Sequence, residues 1–266
     1  MSWHGLLRDG VKLRGFDGGS GRSVIFQHGL GGDEAQVAEN FPATGFRRLT
    51  LECRAHGQSE AGGPKGFSIG GFAGDVLAFA AERQVPRFAV GGISMGAAIA
   101  LRIAAKQPRR VTALILARPA WSWEPAPQNM QVFAELARFL VDGGREAFEA
   151  SATARLFAAE APDNLASLRK FFDRPNPQLV SKLLAAIARD GPDLTELEVR
   201  SISVPTLVIG NAIDRVHPLP LARKLASLVP GARFAEIAPK ARDKARHAAE
   251  FRAVVEDFLN HEGLLP

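Results

Sequence analysis

Phe88-Ala89-Val90-Gly91-Gly92-Ile93-Ser94-Met95-Gly96-Ala97-Ala98-Ile99-Ala100-Leu101 is the stretch on which the fold turns. Phe88–Gly91 is short and apolar, follows Pro86 and runs into a glycine pair, which predicts a strand. Met95 to Gln107 is rich in Ala, Ile and Leu and stops before Pro108, which predicts a helix. Between them stands G-x-S-x-G, Gly92 to Gly96. A turn that sharp forces the serine backbone into a strained conformation. It also brings the positions two before and two after the serine too close for side chains, so glycine serves at both. Ser94 Oγ is then lifted clear of the strand end, where the N-terminus of the following helix favours negative charge.

Outward from this turn, apolar runs alternate with longer amphipathic stretches, the pattern of an α/β fold with a parallel sheet covered by helices. Further strands are expected at Ser23–Gln27, Arg47–Leu51, Val111–Leu116, Pro205–Gly210 and, more weakly, Arg233–Ile237. Helices are expected at Gly74–Gln84, Leu219–Leu228 and Ala248–Leu259. The first twenty residues hold two short, poorly signalled strands at best. The alternation breaks between about Pro119 and Leu197, where four helical patterns (Gln128–Val141, Gly144–Ala152, Pro162–Phe172 and Pro177–Asp190) are separated by prolines and glycines. A helical insertion between two parallel strands would sit over their carboxyl ends, where open α/β sheets bind ligands. The organisation expected is a core of residues 1–118 and 198–266 with a helical cap of residues 119–197.

The composition bounds the function. The 266 residues, 46% of them hydrophobic, are enough for one large domain or a domain with an insertion. No apolar run is long enough to span a bilayer, and Met1 to Gly10 lacks the pattern of a secretory signal, so a cytoplasmic setting and no membrane partner are expected. Cys53 is the only cysteine, which excludes an internal disulfide and a polycysteine metal site. The net charge is +5, but the basic residues are dispersed with no run of five, which speaks against nucleic acid and for a small-molecule substrate. Attraction of an acidic small molecule stays open. Oligomeric state stays open between monomer and homodimer.

A serine hydroxyl needs a base to remove its proton, and histidine has the suitable intrinsic pKa. Of the six histidines, His4 and His261 lie near the termini, His28 ends a strand and His56 follows the next one. His217 lies three residues past Asp214, and His247 follows the last expected strand. The chain order Ser, Asp, His selects Ser94, Asp214 and His247, with Asp214 accepting a hydrogen bond from one His247 nitrogen and turning the other toward Ser94. His217 is the rival base, set aside because it sits so close to Asp214 along the chain. The oxyanion that attack would create needs backbone donors. Met95 N–H and Leu30 N–H are the candidates, the glycines at 29, 31 and 32 allowing close backbone approach.

His28-Gly29, Arg54-Ala55-His56-Gly57-Gln58-Ser59, the Gly92–Gly96 turn, the strand-end Asp214 and the late His247 together resemble the α/β-hydrolase superfamily, and within it bacterial enol-lactonase-like and carboxylesterase-like serine hydrolases. The resemblance covers roughly residues 20–118 and 202–260, and the 119–197 insertion corresponds in position to the helical cap of that family. It implies the α/β-hydrolase fold, an acyl-enzyme mechanism on an ester or lactone, and no metal or organic cofactor. Serine at the turn excludes the members with a carboxylate nucleophile. Glu52 and Ala55 depart from the family's usual Asp and Gly, and the stretch before His247 lacks the usual Gly. The absence of tyrosine implies an oxyanion hole built of backbone alone.

Arg118-Pro119-Ala120-Trp121-Ser122-Trp123 follows the Val111–Leu116 strand directly, at the mouth of the expected site. Arg118 is placed to pair with a substrate carboxylate, and Trp121 and Trp123 to wall an apolar pocket. The plainer alternative has Arg118 bonded within the cap and the tryptophans packing cap to core. Other uses of the same residues stay open: perhydrolysis, carbon–carbon bond hydrolysis, or a hydrolase-fold ligand receptor.

Overall fold

A computed structural model describes residues 2–42 and 44–261. Eight strands, β1 (Ser2–Arg8), β2 (Val11–Gly19), β3 (Arg22–Gln27), β4 (Phe46–Leu51), β5 (Phe88–Ile93), β6 (Val111–Ala117), β7 (Thr206–Gly210) and β8 (Arg233–Glu236), make one sheet in the order β1-β2-β4-β3-β5-β6-β7-β8. The six strands from β4 to β8 along this order pair in parallel, while β1–β2 and β2–β4 are antiparallel. The weakly signalled first twenty residues form a hairpin closed by Asp9 and Gly10. Both have positive φ (51° and 77°), as a two-residue turn that follows the strand twist requires.

Helices α1 (Glu34–Asn40), α2 (Ile69–Glu82) and α3 (Met95–Lys106) lie among the first five strand connections. Six more, α4 (Gln131–Val141), α5 (Gly144–Glu149), α6 (Ala152–Glu160), α7 (Pro162–Arg169), α8 (Pro177–Arg189) and α9 (Glu196–Arg200), fill the connection from β6 to β7. The last two are α10 (Leu219–Leu228) and α11 (Lys244–His261). Capping residues explain where these boundaries differ from expectation. Ser68 accepts from Gly71 N and starts α2 at Ile69, ahead of Gly74. Ser151 caps α6, and Thr195 with Glu198 forms a capping box for α9, two helices that the sequence reading did not expect. Asp243 Oδ1 accepts from Arg246 N at 2.9 Å and starts α11 at Lys244, so His247 stands inside the first turn and not ahead of the helix.

Successive strand residues enter different cores, as the pleat requires. Leu114 and Leu116 join the cluster that holds α2, α3 and the buried faces of α4 and α8. Ala113, Ile115 and Ala117 join Phe251, Val255 and Phe258 of α11 on the other face. Val132, Phe133, Leu136, Ala137 and Leu140 of α4 are buried, and Val180, Leu183, Leu184 and Ile187 of α8 pack into the same cluster. Helices α4 and α8 of the insertion thus share one apolar core with a face of the sheet. No helix among the described residues is long and apolar enough to cross a membrane.

Candidate active site

Ser94 joins β5 to α3 with φ 58° and ψ −111°, a conformation that a side-chain-bearing residue adopts at a cost of about 1–3 kcal/mol. Its amide is anchored on Ala117 O at 2.9 Å. The flanking glycines are sterically required: a Cβ at Gly92 would come within 2.5 Å of the Gly96 carbonyl carbon, and one at Gly96 within 2.3 Å of Gln27 O. Ser94 therefore stands where the sequence placed it, at the carboxyl end of β5, facing a cavity of about 380 Å³.

The hydrogen-bonded series expected to run from Asp214 through His247 to Ser94 runs instead through His217. His217 Nε2 lies 2.8 Å from Ser94 Oγ, and His217 Nδ1 lies 2.9 and 3.0 Å from the two Asp214 oxygens. The ionised carboxylate only accepts, so Nδ1 carries the proton and Nε2 accepts from the serine hydroxyl. The three-residue spacing that argued against His217 is what makes the pair compact. Ile213 takes φ 59°, the chain reverses, and Asp214 Oδ1 also accepts the His217 backbone N–H at 2.9 Å. The Ile213–His217 loop is held by two inserted-segment residues as well. Asn164 Oδ1 accepts from Arg215 N (2.8 Å) and Val216 N (3.2 Å), and Asn129 Nδ2 donates to Val216 O (2.7 Å).

His247 lines the same cavity, but its Nδ1 donates to Ala238 O at 2.8 Å and not to Asp214. The cause is the early start of α11: the His247 amide is already bonded to Asp243 O at 3.0 Å, and the ring follows the helix. Burial lowers the pKa of both histidines below the ordinary 6.5. At His217 the Asp214 charge opposes that shift and the Arg118 charge adds to it. Burial acts to raise the Asp214 pKa, but the Arg118 charge and then His217 overcome it and hold the carboxyl far below its usual range.

Arg118 stands at the expected strand end but not in the expected role. Its Nε and Nη2 bond Asp214 Oδ2 at 3.0 and 2.6 Å, and Nη2 lies 3.2 Å from His217 Nδ1. The guanidinium is thus engaged by the Asp214 carboxylate and is not a free clamp for a substrate carboxylate. The tryptophans are also placed elsewhere. Trp121 is fully buried with Nε1 donating to Asp190 O at 2.9 Å, and Trp123 lies under Lys224 Nζ, 4.5 Å from its ring centre. The apolar part of the cavity wall comes instead from Leu30, Ile93, Phe133, Leu168, Phe171 and Val216.

The glycine turn packs against the serine, a Cβ at Gly29 coming 3.3 Å from Ser94 Cβ. His28 shapes this turn: Nδ1 donates to Gly29 O (2.9 Å), Nε2 accepts from Cys53 N (3.0 Å), and burial lowers its pKa to about 4. Gly29 N–H is taken by Gln36 Oε1 at 2.8 Å. Leu30 lines the cavity and Met95 opens α3 immediately after Ser94. Among the described residues no group of three or more His, Cys, Asp or Glu is arranged to hold a metal ion. The sequence reading weighed His217 as the rival base and set it aside, although the Asp-x-x-His-Pro run itself carried its signal. It did not point to Asn129 and Asn164, the ties of the Ile213–His217 loop, for which no local pattern exists. Of the departures noted, Ala55 takes φ 61°, a left-handed conformation natural to glycine, and Glu52 Oε2 accepts Gln58 N at 2.7 Å.

A family model described as alpha/beta hydrolase fold matches residues 22–243. The AB hydrolase superfamily protein YisY of Bacillus subtilis is 32% identical over 79% of this chain and 80% of its own. A Rhizobium rhizogenes protein provisionally named carbamate hydrolase RutD is 30% identical over 84% of this chain and 87% of its own. Among solved structures, the enol-lactonase of Burkholderia xenovorans LB400 superposes with a TM-score of 0.74 at 24% identity, covering 97% of this chain and 100% of that one. With the sheet order, the glycine-flanked serine and a model that spans most of the sequence in agreement, the chain belongs to the alpha/beta hydrolase fold family.

Proposed function

We propose that this hydrolase cleaves a small carboxylic ester or lactone through an acyl-enzyme, with Ser94 as nucleophile, His217 as general base and acid, and Asp214 as the group that orients and charge-balances His217. The observation that carries this reading is the unbroken series Ser94 Oγ, His217 Nε2, His217 Nδ1, Asp214, with contacts of 2.8 and 2.9 Å. His217 takes the Ser94 proton as Oγ bonds to the carbonyl carbon, and the carbonyl oxygen becomes an oxyanion. The Leu30 and Met95 amides are the donors proposed for that oxygen. Collapse breaks the bond to the leaving alkoxide, which takes the proton from His217. Water then gives a proton to His217, attacks the acyl-enzyme, and the acid leaves as Ser94 recovers its proton. The helices within 119–197 serve as a cap that closes the cavity over this reaction.

The test is hydrolysis of a panel of short esters, lactones and carbamates by wild type and Ser94→Ala. A fall of at least about 10⁴-fold in kcat is expected where an ester or lactone is cleaved. Activity unaffected by Ser94→Ala overturns the reading. A panel cleaved only at carbamates keeps the serine mechanism and replaces the substrate class, the direction in which the RutD name points.

A further inference from the structure

The cavity beside Ser94 is unevenly charged. Arg118, Lys170, Arg174, Lys240 and Lys244 line it against Asp33 and Glu39. Most of this charge is matched locally: Arg118 by Asp214, Lys240 by Asp163 at 3.3 Å, and Lys244 by Glu39 at 3.7 Å. Lys170 is exposed to solvent. Arg174, in the segment between α7 and α8, is different. It is half-buried, and although the Asp33 charge acts on it across the cavity, among the described residues no carboxylate lies within ion-pair distance of it. Among the described residues its one polar bond is Nη2 to Gly31 O at 2.7 Å. A guanidinium has five N–H donors, and a half-buried cation with donors to spare is costly unless an anion completes it.

Its position relative to the serine is also set by contacts. Gly31 belongs to the turn whose Gly29 packs on Ser94 Cβ, and Gly29 and Gly31 are two residues apart, at most about 7 Å along the chain. The Phe171 ring fixes the other side: it packs on Gly31, where a Cβ would come within 2.5 Å, and Arg174 lies 5.5 Å above the same ring. One turn thus touches both Ser94 and Arg174, and the cavity that both line is the place for the acyl group of a substrate. Resting on the hydrolase reading above, we propose that Arg174 is a carboxylate-recognition residue, and that the preferred substrates are esters or lactones whose acyl chain carries a carboxylate a few carbons from the scissile carbonyl. Arg118, to which the sequence pointed, is committed to Asp214, so this task falls to the cap.

Monomethyl glutarate and methyl pentanoate form a matched pair, differing by a carboxylate in place of a terminal methyl. The selectivity ratio, kcat/KM for the first over the second, is expected to exceed about 10 in wild type and to fall at least about tenfold in Arg174→Gln, the range of one charge-assisted hydrogen-bond pair. Arg174→Lys, which keeps the charge and loses the planar fork, is expected to fall between them. Glutarate binding by calorimetry supplies a readout free of turnover: it is expected for Ser94→Ala and weakened at least about tenfold when Arg174→Gln is added. A ratio near one in wild type, a ratio that survives Arg174→Gln, or glutarate binding that is absent or indifferent to residue 174 overturns the proposal. Cleavage of methyl pentanoate abolished by Ser94→Ala would leave the hydrolase reading standing in that case. If neither ester is cleaved, the ester reading fails for this pair while the glutarate arm still decides Arg174.

Discussion

Two segments of this molecule each bring a histidine to the same cavity, the loop after β7 and the start of α11, and they are built in opposite ways. In the first, Ile213 reverses the chain, Asp214 receives both the amide and the ring of His217, and Asn129 and Asn164 hold the loop from the segment inserted between β6 and β7. In the second, Asp243 starts a regular helix, and the His247 ring bonds a backbone carbonyl of the preceding segment. A strained loop aims a side chain at another side chain, whereas a well-capped helix leaves the ring with its own neighbourhood. Burial alone does not separate the two, since it lowers the pKa of both rings. The carboxylate partner does.

The comparison breaks most directly on the histidines themselves. His217→Ala is expected to lower kcat by roughly 10⁴-fold and His247→Ala by less than about tenfold, measured on whichever ester proves the better substrate. The reverse order would return the base role to His247. Next in size is Asn164→Ala. It leaves the Arg215 amide and the buried Val216 amide without their Asn164 acceptor, and a loosened His217 is expected to cost roughly 10- to 100-fold in kcat. Thermal unfolding of the same variant is expected to show a loss of about 1–3 kcal/mol. Wild-type kcat together with lowered stability would reduce Asn164 to a structural tie.

The pH profile sharpens the comparison further. Burial lowers the His217 pKa and the Arg118 charge adds to it, so neutral His217, the basic form, persists below pH 6.5. The acid limb of kcat/KM is therefore expected below that value, and Arg118→Gln, which removes a cation, is expected to move the limb to higher pH. A limb that shifts the other way would contradict the assigned contact. The smallest effect belongs to Trp123. Trp123→Leu is expected to cost up to about 1 kcal/mol of stability through the lost Lys224 contact and to change KM by less than about twofold. A large change in KM would put the ring back at the substrate.

The sequence determined the scaffold, because strand and helix periodicity, capping and glycine sterics act over a few neighbouring residues. The glycine pair around Ser94 requires the sharp turn, the apolar runs fix the parallel strands, and four of the six helices inserted between β6 and β7 stand in the sequence as patterns separated by prolines and glycines. It also brought Ser94 and Asp214 to one rim of the sheet. Only the tertiary structure decided which histidine joins them, that Arg118 serves Asp214, that Trp121 is core, and that Arg174 faces the cavity. Each of these depends on where a loop turns or on a contact between residues roughly fifty or more positions apart. No periodicity records such contacts, because the energy that selects them is released only when the inserted helices, the glycine turn and the loop after β7 are packed together.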